Sequence, residues 1–154
     1  MGILNVFSSP LVAWLNQKSP APSAPLSDYE RIRQELRPCD VLLVEGRSRV
    51  ANVIRVITQS PWTHAALYLG RTHDIEDPEL REIVKQHVNS DDDRVVIESL
   101  LGRGTVLTNL DAYRHDHLRI CRPGRLGHKD GQQVIRYALS RLGIDYDVRQ
   151  ILDL

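Results

Sequence analysis

The stretch Ser60-Pro61-Trp62-Thr63-His64-Ala65-Ala66-Leu67-Tyr68-Leu69-Gly70 decides how this chain is read. Turn-forming residues lead into a short apolar segment rich in Ala, Leu and Tyr and closed by glycine, which predicts a buried strand. His64 opens that strand, at a point where a side chain can face a cleft and still be held rigidly. Imidazole changes charge near physiological pH, so His64 is a candidate general base. A partly buried histidine that bonds locally is the competing reading. By strand alternation Tyr68 shares the face of His64. Tyr68 and Trp62 are the candidate substrate-binding residues, with core packing the plainer role for Tyr68.

Moving outward, Asp40-Val41-Leu42-Leu43-Val44-Glu45-Gly46 is an apolar run stopped by glycine and predicts a central strand. Between the two strands, Val50, Val53, Ile54 and Ile57 recur at helical spacing, so residues 48–58 predict an amphipathic helix. Upstream, Ser27 with Glu30 reads as a capping box for a helix over 28–36 that ends before Pro38. Downstream, Asp77 and Pro78 open a helix to His87, and Arg94-Val95-Val96-Ile97-Glu98 is a strand. Gly102 and Gly104 turn it into a hairpin with 105–107, and 117–121 is a further strand before Pro123-Gly124. Residues 130–142 predict the last helix, with Val134, Ile135, Ala138 and Leu142 as its buried stripe and Gly143 as its stop. The sum is an α+β domain, a small, mostly antiparallel sheet packed by helices.

Composition bounds the function. A chain of 154 residues fits one domain with its own core. Lys+Arg and Asp+Glu both number 20, so no global field draws it to nucleic acid. Two cysteines, Cys39 and Cys121, make neither a disulfide scaffold nor a zinc site and suggest a reducing, cytoplasmic setting. No apolar run approaches the roughly 18 residues of a membrane span.

Three regions follow: an apolar N-terminal segment (1–18), a Pro/Ser linker (19–26) with three prolines between Ser19 and Pro25, and the domain itself (27–154). The first segment fits neither a secretory signal nor a myristoylation site. Residues 1–17 either pack on their own domain or form an amphipathic helix for a partner or a membrane surface.

Glu98 closes an apolar run and so sits where a lone carboxylate is costly. Paired with His64 across neighbouring strands, it would fix the imidazole tautomer and stabilise the imidazolium; an ion pair with an arginine is the alternative. His115-Asp116-His117 has two imidazoles but no third ligand at convincing spacing, Asp91-Asp92-Asp93 lacks EF-hand spacing, and no cofactor motif is present. Arg114, Arg119, Arg122 and Arg125 could bind an acidic head group or phosphate, with a solvated rim the plainer reading, and no aromatic interleaving points to nucleic acid.

Taken in order, the Asp40–Gly46 strand, the Thr58-to-Gly70 stretch, Val96-Ile97-Glu98-Ser99, Arg119-Ile120-Cys121-Arg122-Pro123 and Gly143-Ile144-Asp145-Tyr146-Asp147 resemble the permuted papain-like cysteine hydrolases of the NlpC type. The likeness is to the YiiX/YaeF-like branch, akin to lecithin:retinol acyltransferase, and spans roughly 38–154. It implies a permuted papain-like fold, with His64 as catalytic base and Glu98 as the orienting residue. It also implies a nucleophilic cysteine after the Tyr-Asp segment, at a helix N-terminus that favours the thiolate. Neither Cys39 nor Cys121 opens a helix, and Ser60 and Ser99 lack a nucleophile elbow. The expectation is therefore that the domain is incomplete at its C-terminus and that the nucleophile lies beyond residue 154. The implied activity is a thiol hydrolase or acyltransferase of amide, ester or thioester bonds in peptide or lipid-like substrates, without a metal or other cofactor. A noncatalytic lipid- or peptide-binding module is the alternative.

Overall fold

The computed structural model describes residue 10 and residues 12–20, 26–88 and 94–145. The first nine residues of the apolar N-terminal segment, most of the Pro/Ser linker, the acidic run at 91–93 and the segment after Asp145 lie outside them.

Helix α1 (Tyr29–Glu35) leads into strand β1 (Val41–Glu45), helix α2 (Arg49–Thr58) and strand β2 (His64–Arg71). Helix α3 (Pro78–His87), strands β3 (Arg94–Leu100), β4 (Gly104–Asn109) and β5 (His117–Cys121), and helix α4 (His128–Leu139) follow. The strands form one five-stranded antiparallel sheet in the order β4-β3-β2-β1-β5. The fold is α+β, as the pattern of apolar runs implies.

Strand alternation divides the apolar side chains between two faces. Leu42, Val44, Ala66, Tyr68, Val96 and Leu118 point to one face, under Tyr29 and Leu36 at α1 and under Leu110 and Tyr113 of a short 3-10 turn. Leu69, Val95 and Ile97 point to the other, under Val84 of α3 and Ile135 and Leu139 of α4. Each fully buried leucine or isoleucine contributes about 1.5–3 kcal/mol of transfer free energy.

Three local readings need correction. The cap of α1 is Asp28, whose side chain accepts from Arg31 N, and not Ser27. The Ser27 hydroxyl is engaged by β5 instead, through Leu118 N, Leu118 O and His117 Nδ1. The stripe expected on α2 is only partly buried: Val50 and Ile54 are half-buried beside the buried Ala51, whereas Val53 and Ile57 are exposed. Its half-buried residues line a cleft and belong to neither core cluster. In α4 the helix starts at His128; Ile135, Ala138 and Leu142 of the expected stripe pack on the core, joined by Leu139, while Val134 faces outward.

Candidate active site

His64 is the first residue of β2, opposite Val44 on β1. The preceding residue fixes it. Thr63 N donates to Val44 O (3.1 Å), and Thr63 Oγ1 accepts from Gly46 N (2.9 Å). Gly46 is required by closeness of approach, since a Cβ there would sit 2.7 Å from Thr63 Oγ1 and 2.9 Å from the Ala51 methyl. The loop after β1 thus clamps the entry to β2.

On the other side, β3 pairs with β2 through Leu67 opposite Ile97. Continuing that register sets Ala66 beside Glu98, so His64 and Glu98 meet diagonally on one face. His64 Nε2 lies 2.6 Å from Glu98 Oε2, with the carboxylate side chain 2% exposed and the imidazole 25% exposed. Burial by itself pushes the Glu98 carboxyl up. Hydrogen bonds from His64, Thr108 and Tyr113, together with the charge interaction with His64, outweigh it and hold the group below the usual carboxylate range. An ionised carboxylate can only accept, so Nε2 carries the proton and the neutral ring keeps a bare lone pair on Nδ1. Nδ1 has no hydrogen-bond partner among the described residues.

Tyr113 completes the cluster. Its hydroxyl donates to the same Glu98 Oε2, lies 3.4 Å from His64 Nε2, and its ring stacks on the imidazole at 6.4 Å between centroids. Burial, then the Glu98 charge, push its phenol well above the ordinary range, so it stays protonated. A cleft of about 420 Å³ opens beside the three residues. Val50, Ala51 and Ile54 of α2, Leu100 at the end of β3, Leu101 after it, and Arg47 and Asp116 form its walls. A carboxylate-oriented imidazole with a free nitrogen at an apolar cleft is equipped to take a proton from a thiol or hydroxyl placed there.

A family model described as permuted papain-like amidase enzyme, YaeF/YiiX, C92 family, matches residues 35–153. The chain belongs to this family. Comparison with curated proteins and with solved structures gives no match. The matched region of the permuted papain-like amidase begins at the last residue of α1, so the described residues before it stand outside the match.

Neither cysteine of this amidase-family chain reaches His64. Cys121 faces Val41 on β5, three ladder positions and two strands from His64, which is about 14 Å away on the opposite face of the sheet. Cys39 precedes β1, and its N donates to Tyr68 O, four residues and so roughly 13 Å along β2 from His64, with its Sγ packed 3.4 Å from Gly131 O. Burial pushes the Cys39 thiol up, with the neighbouring Asp40 adding to it. Ser99 Oγ bonds Thr105 Oγ1, and Ser60 Oγ accepts from Trp62 N.

The remaining sequence candidates fall elsewhere. Tyr68 is 3% exposed in the core on the His64 face and is not among the cleft-lining residues. Trp62 packs its ring 5.1 Å from that of His117, also outside the cleft lining. Asp116 pairs with Arg47 at 2.9 Å, and Arg122 binds Asp40 with two nitrogens. Among the described residues no group of three or more His, Cys, Asp or Glu side chains is placed to hold a metal. Tyr113 and Thr108 escaped the sequence reading. The usable signal was Asn109, which caps a 3-10 turn, followed by Leu110 and Tyr113 at the three-residue spacing that puts both on one face.

Proposed function

We propose that His64 is the general base and Glu98 its orienting residue in a cysteine-dependent hydrolase or acyltransferase acting on amide, ester or thioester bonds. The supporting observation is the 2.6 Å contact between His64 Nε2 and Glu98 Oε2 on a residue that lines the cleft, with Nδ1 unpartnered among the described residues. The substrate is a peptide or lipid-like acyl compound. Because Cys39 and Cys121 are remote, the nucleophile is a cysteine outside these 154 residues. Gly143 N and Ile144 O are hydrogen-bonded to Thr105 at the start of β4, so the chain passes the His64 end of the sheet there. The two free thiols fit a cytoplasmic setting.

In this reading Nδ1 takes the thiol proton and the thiolate attacks the carbonyl carbon. Collapse of the tetrahedral adduct breaks the bond to the leaving group, which takes the proton from the imidazolium, and leaves an acyl-thioester. Water then releases the acid in a hydrolase, or a second nucleophile accepts the acyl group in an acyltransferase. Glu98 keeps the ring in one tautomer and stabilises its cation throughout.

The test uses the complete reading frame that contains these residues, assayed on N-acyl p-nitroanilides and p-nitrophenyl esters. Thiol-dependent turnover is expected, abolished by His64→Ala, lowered about 10²-fold or more by Glu98→Gln, and unchanged by Cys39→Ala or Cys121→Ala. Turnover that depends on Cys121 overturns the assignment. A frame without any further cysteine, or one inert in these assays while the cleft binds acyl ligands, favours the noncatalytic binding module instead.

A further inference from the structure

Residues 12–19 precede the family match, yet they are fastened to both sides of the cleft. Asn16 Nδ2 donates to Leu101 O (3.1 Å) after β3, and Val12 packs against Gly102, whose positive φ of 78° and missing Cβ allow the approach. At the other side Ser19 N donates to Arg47 O (2.9 Å), Arg47 Nη1 returns a bond to Ser19 O (3.0 Å), and Lys18 bridges Ser48. The Arg49 guanidinium lies 4.3 Å from the centre of the Trp14 ring. Since β1 and β3 flank β2, a segment tied to the ends of both crosses the sheet end where His64 stands. It lines the cleft with Asn16 and Lys18.

The charges of the cleft are unevenly satisfied. Asp116 is matched by Arg47, and the Glu98 carboxylate is engaged by His64 and Tyr113. Lys18 and Arg103 also line the cleft, and neither has an ion-pair partner among the described residues. The intervening walls, Val50, Ile54 and Leu101, are apolar. A ligand with an apolar body fits those walls, and one with a negative group meets two cations that have no ion-pair partner among the described residues.

We propose that this segment is a wall of the substrate cleft and that Lys18 and Arg103 select a substrate carrying one carboxylate or phosphate on an apolar body. The proposal rests on the reading of the cleft as the substrate site and names the class of substrate it takes. Without the segment, the cleft loses Asn16 and Lys18 from its lining, and of its cations only Arg103 and the Asp116-paired Arg47 remain.

The experiment is titration calorimetry of the 154-residue chain with decanoate, its neutral counterpart decan-1-ol, and acetate. Decanoate is expected to bind about tenfold or more tightly than decan-1-ol, with acetate weaker than both. In the Lys18→Met/Arg103→Met double variant the preference disappears and decan-1-ol affinity stays the same. Equal binding of the two ten-carbon ligands, or a preference that survives the double variant, overturns the proposal. Acetate binding as tightly as decanoate overturns its apolar half. If circular dichroism shows the double variant unfolded, salt replaces it: raising NaCl from about 50 to about 500 mM narrows the preference in the native chain, and an unchanged preference overturns the proposal. The readout is binding alone, so its failure leaves the roles of His64 and Glu98 untouched. Loss of those roles in turnover assays would equally leave the anion preference standing.

Discussion

The Tyr113 hydroxyl meets Glu98 through Oε2, the oxygen that also receives His64 Nε2. One buried oxygen therefore ties the strand bearing the imidazole to the 3-10 turn after β4. Tyr113→Phe is expected to cost about 1–3 kcal/mol at pH 7, because a buried charged acceptor loses a donor. The pH dependence has a defined sign. Glu98 in the folded state lies below its unfolded value of roughly 4.3, so its contribution is complete above that pH and is lost as pH falls through the folded value. Removing the phenol raises the folded value, so the variant has less to lose in acid. Urea unfolding from pH 7 to pH 3 should show the stability gap narrowing below about pH 4; a constant gap would count against the account.

Asp40 is 1% exposed and is held by Nε and Nη2 of Arg122, with Arg37 N as a third donor. Arg122→Met leaves that carboxylate with one backbone donor. The variant is expected to be destabilised, by less than loss of a fully buried pair would cost, because the arginine itself is hydrated. Chemical denaturation of the variant, and of Asp40→Asn/Arg122→Met, measures it. The double variant should recover part of the loss, since no unpaired charge remains.

Gly46→Ala places a methyl against Thr63 and Ala51 at the entry to β2. Overpacking of this kind costs about 1–3 kcal/mol. Thr63→Ala is expected to relieve the contact with Oγ1 but not the one with Ala51, so the double variant should recover only partly. Full recovery would show that Ala51 yields freely.

The two thiols should differ in reactivity. Cys39 is buried with its thiol pushed up, by burial first and then Asp40, while Cys121 is half-buried. A chromogenic disulfide reagent at pH 7 should titrate Cys121 first and Cys39 on the timescale of unfolding. Equal rates would contradict the packing of Cys39.

Much of this was legible before any coordinates. The strands show in sequence because Val41-to-Val44, the His64 stretch and Val95-to-Ile97 are apolar runs between turn formers, and a sheet covered on both faces needs such runs. That His64 and Glu98 share a face follows from alternation once β2 and β3 are neighbours, but the diagonal register does not, because a bulge at Tyr68/Gly70 shifts the ladder. Tyr113 stayed hidden because a 3-10 turn of four residues carries too little periodicity to announce a buried face. Helix α2 misled for the opposite reason. Its periodicity is plain, yet amphipathicity states only that one face is apolar, and not that this chain buries it.

The segment over the cleft is fastened by a few hydrogen bonds and one cation–aromatic stack, and none of them involves His64, Glu98 or Tyr113. Inheritance can therefore treat the two parts separately. Substitution, lengthening or loss within residues 12–19 reshapes what the cleft admits without disturbing the ladder that aligns imidazole and carboxylate. Ligand preference can diverge between descendants of one ancestral domain while the proton-handling pair stays fixed.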